Sequence, residues 1–456
     1  MDLLIINGSL INSSGTLRAD ILCRDGKIIQ IGENLANEND QIQTIDASGC
    51  LIFPGGIDPH VHMHLKTNSE FSADDFYTGS KAALIGGTTT LVDFVTPEKG
   101  QTLIQATELR MKEAENCLCD YTFHVSPVEW RACMPNEITR IANESHLRTF
   151  KVYMAYKDTI GLDDGEILLV MKAVAKAGGM VLLHCETGDD IESKRIQLIA
   201  EKKLSPRYHS VSRPAQMEAT AVKRAIDLAA EAGCPIYIVH VSTKLSLEYI
   251  QKAQSNGQPV FAETCPQYLL LDDTSYEGAF DQVCGYVMSP PLRKKEDKEA
   301  LWEALRTGII QTIGTDHCPF NLEQKRLGRD NFTLIPNGAG GVEHRMTLLY
   351  SYGVLTGKIS VNQFVSLTSA NAAKILGFYP QKGLIAEGSD ADLIVWNTEK
   401  VQMISVGNHH SQSDINIYEG FKTKGSPDVV IKNGQVVVES GTLTELPGRF
   451  LKTNPL

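Results

Sequence analysis

Eight short runs rich in β-branched residues, separated by amphipathic stretches, constrain the fold of this 456-residue chain more than any other feature. The runs are GGIDPHVH, TTTLVDFVTP, CDYTFHVSP, TFKVYMAYK, GMVLLHCET, PIYIVHVST, PVFAETCP and IIQTIGTDHCP. Stretches between them, such as EILLVMKAVAKAGG and AQMEATAVKRAIDLAAEAG, have helical spacing. They end at glycine, the residue preferred just beyond a helix C-terminus. Eight βα units in series predict an α/β protein with a (β/α)8 TIM barrel.

A doubly wound open sheet is the competing topology for a chain of alternating strands and helices. In its dinucleotide-binding form, that sheet carries a glycine-rich phosphate fingerprint directly after the first strand. No such fingerprint follows GGIDPHVH, the first strand of the series. The sequence therefore favours the barrel, whose active site is expected at the C-terminal ends of the strands.

The two ends of the chain share a different pattern. Near the N-terminus, LLIINGSLI, ADILCRDGKIIQIG and QTIDASGCLIF alternate apolar and polar residues around Asn-Gly, Asp-Gly or Ser-Gly turns. DADLIVWN and DVVIKNGQVVVESG repeat this pattern near the C-terminus. We therefore predict one small β-domain built from both termini, residues 1–53 and 381–456, beside a barrel domain of residues 54–380.

Charge and composition exclude several classes of protein. A net charge of −12 at pH 7 argues against a nucleic-acid partner, because phosphate binding requires clustered Lys and Arg. The first residues, MDLLIINGSLINSSG, lack the basic head and cleavage site of a signal peptide, and no apolar run is long enough to span a bilayer. The ten cysteines are scattered rather than spaced as in a small disulfide-rich domain. We expect a cytoplasmic protein without a membrane partner.

Side chains that can bind metal end most of the predicted strands. His60 and His62 are two residues apart, so on a strand both side chains face the same side. Further candidates at strand ends or within strands are Lys151, His184, His240 and Asp316. Three other acidic residues at strand ends resemble ligands less: Asp93, Glu186 and Glu263.

Each of these residues, taken alone, has a structural explanation. A single histidine more often serves as a hydrogen-bonded core residue than as a ligand, and Lys151 could simply point to solvent. The prediction depends on the whole set, since a barrel brings the C-terminal ends of its strands to one face. Imidazole and carboxylate together suit zinc, with iron, nickel and manganese as alternatives.

Ordered motifs along nearly the whole chain resemble the dihydropyrimidinase and hydantoinase branch of the amidohydrolase superfamily. The motifs are FPGGIDPHVHMHL, AALIGGTTTLVDF, TFKVYMAYK, LLHCET, YIVHVST, AETCPQYLLLD, MSPPLR, GTDHCPF, PNGAGGVEHR and EGSDADLIVW. The resemblance implies a β-sandwich formed by both termini beside the barrel. It also implies an enzyme that acts on a small cyclic amide and commonly forms a homotetramer, with the tail LPGRFLKTNPL resembling one used in subunit contacts.

The resemblance assigns two divalent metal ions, most simply Zn²⁺, to the predicted ligands. One metal would be held by His60, His62 and Asp316, and the other by His184 and His240. Lys151 would bridge them as an N-carboxylated lysine, a carbamate formed with CO2. This modification is physically sensible, because two dications repel an ammonium but attract an anion that offers an oxygen to each.

Further roles carried over from the family concern catalysis and substrate binding. Asp316 would move protons and Tyr156 would donate a hydrogen bond to the oxyanion that develops. Ser289 in MSPPLR and Asn337 in PNGAGG would hold the ring amides largely through backbone groups. The substituent on the ring would contact Leu65, Tyr153 and Ile160. Without the resemblance, Tyr156 is an ordinary rim aromatic, and Ser289 and Asn337 are turn residues.

The resemblance predicts ring opening of a 5,6-dihydropyrimidine or a 5-substituted hydantoin, giving an N-carbamoyl amino acid. An allantoinase-like or other cyclic ureide hydrolase is an alternative. Dihydroorotase is disfavoured, because HMHLKTNSEF contains no Arg after the paired histidines to bind a substrate carboxylate. The chain departs from common relatives at Cys185 and Thr187, and at Ile160, where a bulky aromatic often closes the pocket. A metal-free interaction scaffold is the non-enzyme alternative.

Overall fold

The computed structural model of the protein describes residues 2–35, 42–67 and 70–454. The remaining parts of the predicted terminal β-domain, residues 1, 36–41, 455 and 456, lie outside the described residues. Seven strands precede the barrel: Leu3–Ile6 (β1), Ser9–Asn12 (β2), Gly15–Arg18 (β3), Asp20–Arg24 (β4), Lys27–Gly32 (β5), Gln43–Asp46 (β6) and Leu51–Pro54 (β7).

The next eight strands form a parallel sheet in chain order, which confirms the predicted barrel. They are Gly56–Asp58 (β8), Thr88–Val95 (β9), Asp120–Val125 (β10), Thr149–Tyr153 (β11), Met180–His184 (β12), Ile236–Ile238 (β13), Val260–Thr264 (β14) and Thr312–Ile313 (β15). The sheet closes on itself where Val61 pairs in parallel with His317. Two backbone bonds strengthen this seam: Asp316 N–H donates to His60 at 2.9 Å, and His62 N–H donates to His317 at 2.8 Å.

Helices follow the strands around the barrel. They are Phe76–Ile85 (α1), Leu103–Glu113 (α2), Met134–Arg140 (α3), Asp164–Lys176 (α4), Gly188–Ala200 (α5), Tyr208–Ser212 (α6), Ala215–Ala232 (α7), Lys244–Ser255 (α8), Pro266–Leu270 (α9), Phe280–Val283 (α10), Lys295–Thr307 (α11), Leu322–Arg326 (α12), Arg345–Leu349 (α13), Val361–Val365 (α14) and Asn371–Ile375 (α15). Helix α7 ends as predicted, at Gly233 in the left-handed conformation, and α11 ends at Gly308 in the same conformation. No helix in the described part of the chain is long and apolar enough to cross a membrane.

Four strands at the C-terminal end return to the N-terminal strands: Leu393–Met403 (β16), Lys422–Lys432 (β17), Gln435–Glu439 (β18) and Thr442–Leu443 (β19). They form a seven-stranded sheet in the order β19-β18-β17-β16-β7-β2-β3, so both termini contribute. A second sheet of order β5-β4-β1-β6 packs against it through an apolar cluster that includes Ile21, Ile52, Leu393 and Ile431. The predicted second β-domain built from both termini is therefore present.

Candidate active site

The first and last barrel strands bring three predicted ligands together at the seam. His60 and His62 follow β8, and Asp316 follows β15. The Nε2 atoms of the two histidines are 3.3 Å apart, and Asp316 Oδ1 lies 3.1 Å from His60 Nε2 and 3.2 Å from His62 Nε2. One imidazole nitrogen from each histidine and one carboxylate oxygen lie within 4.8 Å of one another. Such a set can hold a metal ion.

The electrostatics of this group favour a cation. Burial lowers the pKa of His60, but the carboxylates of Asp316 and Glu263 outweigh burial and raise it to about 9. Burial would raise the pKa of Asp316, yet the charge on His60 and hydrogen bonds from both imidazoles hold it well below its usual range. A positive charge between these carboxylates is therefore stabilised, as a divalent metal would be.

The fifth and sixth strands supply a second pair of imidazoles. His184 ends β12 and His240 follows β13, and His184 Nδ1 lies 3.0 Å from His240 Nε2. Burial lowers the pKa of both side chains, so both imidazoles are held in the neutral form that binds metal. The two groups adjoin, because the ring centroids of His60 and His240 are 5.4 Å apart.

Lys151 lies on β11 with its side chain buried in the barrel. Its Nζ lies 5.3 Å from the ring centroid of Phe94 and 5.1 Å from that of Tyr153. Within residues 2–35, 42–67 and 70–454, no hydrogen bond or ion pair reaches this Nζ, which is unusual for a buried amine. Burial lowers the pKa of Lys151 to about 8 and so increases the neutral fraction, the form that can add CO2.

Glu263 and Glu186, two of the acidic residues that the sequence set apart from the ligands, orient His60 and His184. Each carboxylate contacts the ring nitrogen that faces away from the neighbouring histidine. Glu263 Oε1 accepts from His60 Nδ1 at 2.8 Å, which leaves His60 Nε2 facing the site. Glu186 Oε2 lies 2.8 Å from His184 Nε2 and also accepts a hydrogen bond from Arg213. Carboxylates of this kind fix the ring orientation of metal-binding histidines.

Asp93 and Arg213 complete the surroundings of the site. Asp93 accepts the backbone N–H of Met63 at 2.7 Å and pairs with Arg110 at 2.6 Å, so it supports the loop after β8. Sequence reasoning did not identify Arg213, whose guanidinium carbon lies 5.6 Å from the ring centroid of Tyr156. Arg213 lies between α6 and α7, many residues along the chain from the nearest barrel strand, so no pattern in the sequence pointed to it.

Tyr156 lies beside the second histidine pair, with its ring centroid 5.3 Å from that of His184. Burial raises the pKa of its phenol, although the Arg213 charge and hydrogen bonding by Ser289 oppose that shift. The phenol therefore stays protonated near neutral pH and can donate a hydrogen bond. Asn337 Nδ2 donates to Ser289 Oγ at 3.0 Å, so the structure places these two predicted substrate contacts side by side.

A cleft of about 650 Å³ opens from His62 toward solvent. Leu65 and Ile160, two of the predicted contacts for the substrate's substituent, line it together with Phe94. Tyr153 does not line this cleft. Its buried ring lies next to His184, with 6.0 Å between the ring centroids.

Comparison with known proteins decides the family. Residues 51–437 match the model of the amidohydrolase family. This chain belongs to that family. A D-hydantoinase from Geobacillus stearothermophilus is 40% identical over 98% of this chain and 95% of its own length. A D-phenylhydantoinase from Escherichia coli K12 is 39% identical over 100% of this chain and 99% of its own.

Solved structures agree with this assignment. The amidohydrolase superposes on a dihydropyrimidinase from Brevibacillus agri NCHU1002 with a TM-score of 0.98 at 40% identity, covering 100% of this chain and 99% of the other. An L-hydantoinase (dihydropyrimidinase) from Arthrobacter aurescens gives a TM-score of 0.91 at 29% identity, with 99% of each chain covered. The predicted membership of the hydantoinase and dihydropyrimidinase branch is confirmed.

The amidohydrolase family implies a binuclear site for divalent metal ions, and the residues of this chain fit it. Two clusters of imidazole nitrogens adjoin, one of them with the Asp316 carboxylate, and both histidine pairs have an orienting carboxylate behind them. On the strand next to that of His184 stands the buried amine of Lys151, which has no polar partner among the described residues. These are the donor types that a pair of zinc-like cations requires.

Proposed function

We propose that this amidohydrolase opens the ring of 5,6-dihydropyrimidines and 5-substituted hydantoins by adding water across the ring amide, giving an N-carbamoyl amino acid. Membership of the hydantoinase branch makes the chain an enzyme that hydrolyses cyclic amides. The observation that carries the proposal is the convergence of His60, His62 and Asp316 beside the His184–His240 pair, at the C-terminal face of the barrel. This is the face where barrel enzymes place their chemistry.

In this proposal, the ligands divide into two groups that share one bridge. His60, His62 and Asp316 would hold one divalent metal, and His184 and His240 the other, with zinc as the expected ion. Lys151 would join them as an N-carboxylated lysine. When bound, the metal pair would lower the pKa of water enough to supply hydroxide, the nucleophile, near neutral pH.

The chain's own residues would then move protons and stabilise charge. Asp316 takes a proton from the attacking water as the water oxygen bonds to the ring carbonyl carbon. Asp316 then delivers that proton to the ring nitrogen as the C–N bond breaks. One water is consumed, the ring N–H becomes the NH2 of the carbamoyl group, and the new carboxylic acid releases a proton to become a carboxylate. The Tyr156 hydroxyl donates a hydrogen bond to the carbonyl oxygen as negative charge develops there.

Substrate recognition would divide between backbone and side chains. Backbone groups of Ser289 and Asn337 would hold the planar amide functions of the ring. Leu65 and Ile160, which line the cleft, would contact its substituent. Tyr153, the third predicted contact, would do so from outside the cleft lining, beside His184. Residues 54–380 would form the catalytic domain, and residues 1–53 and 381–456 the β-sandwich. We further propose a homotetramer acting in the cytoplasm.

A turnover panel tests this proposal directly. Metal-reconstituted enzyme would be offered dihydrouracil, dihydrothymine, hydantoin, bulky 5-substituted hydantoins, allantoin and dihydroorotate, with chromatographic detection of N-carbamoyl products. We expect ring opening of the hydantoins and dihydropyrimidines, and little or none of dihydroorotate. Preference for allantoin would favour the allantoinase-like alternative. No turnover of any member by enzyme with a full metal complement would favour the scaffold.

A further inference from the structure

A buried lysine outside the predicted set of metal ligands has a full set of backbone acceptors. Lys325 lies on α12 and is only 1% exposed. Its Nζ donates to the carbonyl oxygens of Val287 at 2.9 Å, Pro336 at 2.7 Å and Gly338 at 2.7 Å. An ammonium has three N–H donors, and these three carbonyls use all of them.

The acceptors of Lys325 belong to two loops, and each loop carries a predicted substrate contact. Val287 precedes Ser289 in one loop, and Pro336 and Gly338 flank Asn337 in the other. The loops are also joined directly, because Gly338 N–H donates to the Val287 carbonyl at 3.0 Å. One ammonium therefore holds both loops from the side of α12.

Other buried side chains bind the remaining carbonyls next to Ser289. His209 Nε2 lies 2.7 Å from the Met288 carbonyl oxygen, and the Tyr268 hydroxyl donates to the Pro290 carbonyl at 2.8 Å. The carbonyls on both sides of Ser289 are thus held by side chains from different elements, α6 and α9.

The backbone groups of the central residues stand in contrast to those of their neighbours. Within the described ranges of the chain, no hydrogen bond reaches the backbone N–H or carbonyl of Ser289 or of Asn337. Polar backbone groups near a protein interior normally have partners. Each loop therefore presents an unused peptide group between fixed neighbours, as a site for a planar ring with amide donors and acceptors requires.

We propose that Lys325 is a positioning residue, which holds the backbone of Ser289 and Asn337 in register for the amide groups of the substrate ring. This inference rests on the proposed function for its ligand, but its geometry concerns the loops alone. Without the ammonium, the buried carbonyls of Pro336 and Gly338 would lose their donor, and that of Val287 would keep only the Gly338 N–H. The two loops would then be held together less firmly. Ring binding would weaken, while the groups that move protons would stay in place.

The charge state of Lys325 gives the inference a pH signature. Burial lowers the pKa of Lys325 to about 7. Below that pH the ammonium supplies three N–H donors, whereas above it the neutral amine supplies two and one carbonyl loses its donor. Its titratable neighbours keep their charge between pH 6 and 8.5: burial raises the pKa of Cys284 and Cys318, and burial lowers that of His209 to about 3. KM should therefore rise with pH around 7.

The test compares Lys325→Met with the wild-type enzyme and with a control variant, Lys432→Met. Lys432 is also buried and donates to two backbone carbonyls, those of Leu446 at 3.1 Å and Pro447 at 2.9 Å, in the terminal β-domain. We expect Lys325→Met to raise KM for hydantoin and dihydrouracil about tenfold, as for one lost buried hydrogen-bonding partner, with kcat within about threefold and unchanged metal content. The pH dependence of KM should disappear. Lys432→Met should retain wild-type KM.

Hydrogen exchange provides a readout that does not require turnover. In Lys325→Met, the segments 287–293 and 335–339 should exchange their backbone amides faster than in the wild type, and in Lys432→Met they should not. The inference would be overturned if exchange in Lys325→Met were unchanged, or if the KM of Lys325→Met were within about twofold of wild type. An equal rise of KM in Lys432→Met would overturn it as well. A wild-type enzyme that opens no cyclic amide would refute the proposed function, while exchange would still decide the role of Lys325. The predicted rise of KM with pH around 7 can be measured on the wild-type enzyme alone.

Discussion

Three residues of the candidate site adopt a backbone conformation that L-residues rarely occupy. The φ angles are 61° for Tyr156, 40° for His240 and 53° for Asp316. Such a conformation costs on the order of 1–3 kcal/mol per residue and persists only where the surroundings impose it. At Tyr156, three amides, those of residues 159–161, donate to one carbonyl and hold the turn. In these conformations the side chains of Tyr156 and His240 lie beside His184, and the Asp316 carboxylate lies beside His60.

Replacing Tyr156 by phenylalanine tests the oxyanion role at the scale of one hydroxyl. The ring remains, so its packing against His184 and the metal content should not change. Because an oxyanion donor acts mainly as charge develops, kcat should fall roughly 10²–10³-fold, or about 2.7–4 kcal/mol. Steady-state kinetics with hydantoin measure this. A kcat within threefold of wild type, or a raised KM with unchanged kcat, would contradict the assignment.

Replacing Lys151 by alanine tests the carbamate bridge. The variant should lose most of its bound metal and its turnover, because the two groups of histidines would lose the proposed carbamate that joins them. Short carboxylic acids such as acetate, added at high concentration, should restore part of the activity by occupying the vacated space. Elemental analysis and initial rates measure both effects. Normal metal content and turnover in Lys151→Ala or Lys151→Arg would show that no bridge forms there.

At the scale of elements, the barrel seam and its supporting carboxylates set the geometry of the site. Glu263 on β14 accepts from His60 Nδ1, from the backbone N–H of His240 at 3.2 Å and from the Tyr237 hydroxyl at 2.8 Å. One carboxylate thus ties the first, sixth and seventh strands together beneath both groups of ligands. Its loss should disturb metal binding without removing a ligand.

The variant Glu263→Gln keeps the shape of this side chain and removes its charge. We expect metal affinity to weaken about 10–100-fold, the usual effect of changing a group that orients a metal-binding histidine. Competition with a fluorescent chelator measures the affinity. Glu137→Gln is the matched control: Glu137 is also buried and accepts the backbone N–H of Leu103 at 2.8 Å, at the start of α2. Equal metal affinity in both variants would show that Glu263 has only a structural role.

At the scale of the whole molecule, a buried ion cluster fastens the terminal β-domain to the barrel. Lys382 Nζ lies 2.6 Å from an oxygen of Asp120 on β10 and 3.2 Å from one of Asp390, and it also pairs with Asp392. Arg449 pairs with Asp120 and Asp390, at 2.7 Å each. The three carboxylates converge closely enough for a metal, but these cations already compensate them.

Lys382→Met should lower the free energy of unfolding at pH 7 by about 3–5 kcal/mol, because buried carboxylates would lose a partner. Burial opposes ionisation, but Lys382 and Arg449 hold the pKa of Asp120 well below its usual range, and Lys382 and Lys27 lower that of Asp390. Their stabilisation is thus present above about pH 4 and is lost as pH falls below it. Denaturant unfolding of both proteins at pH 7 and pH 3 should show the difference shrinking. A constant difference would contradict the ionic account.

Local patterns were sufficient to predict the order of the barrel strands and the second β-domain, because strand periodicity and glycine ends are local signals. They also pointed to the four histidines and Asp316, although only His184 among these five residues lies within a hydrogen-bonded strand. Lys325 could not be recognised, since in LEQKR it reads as part of a solvated helix face. The pairs of Asp120 with Lys382 and Arg449 span 262 and 329 residues, so no local pattern could indicate them.

The metal requirement is the most direct test of the account. Enzyme stripped by a chelator would be titrated with zinc, cobalt or manganese while bound metal and hydantoin turnover are measured on the same samples. The account predicts that chelation abolishes ring opening, and that activity returns and saturates at two metals per chain. Full turnover by a preparation shown to be metal-free would contradict it.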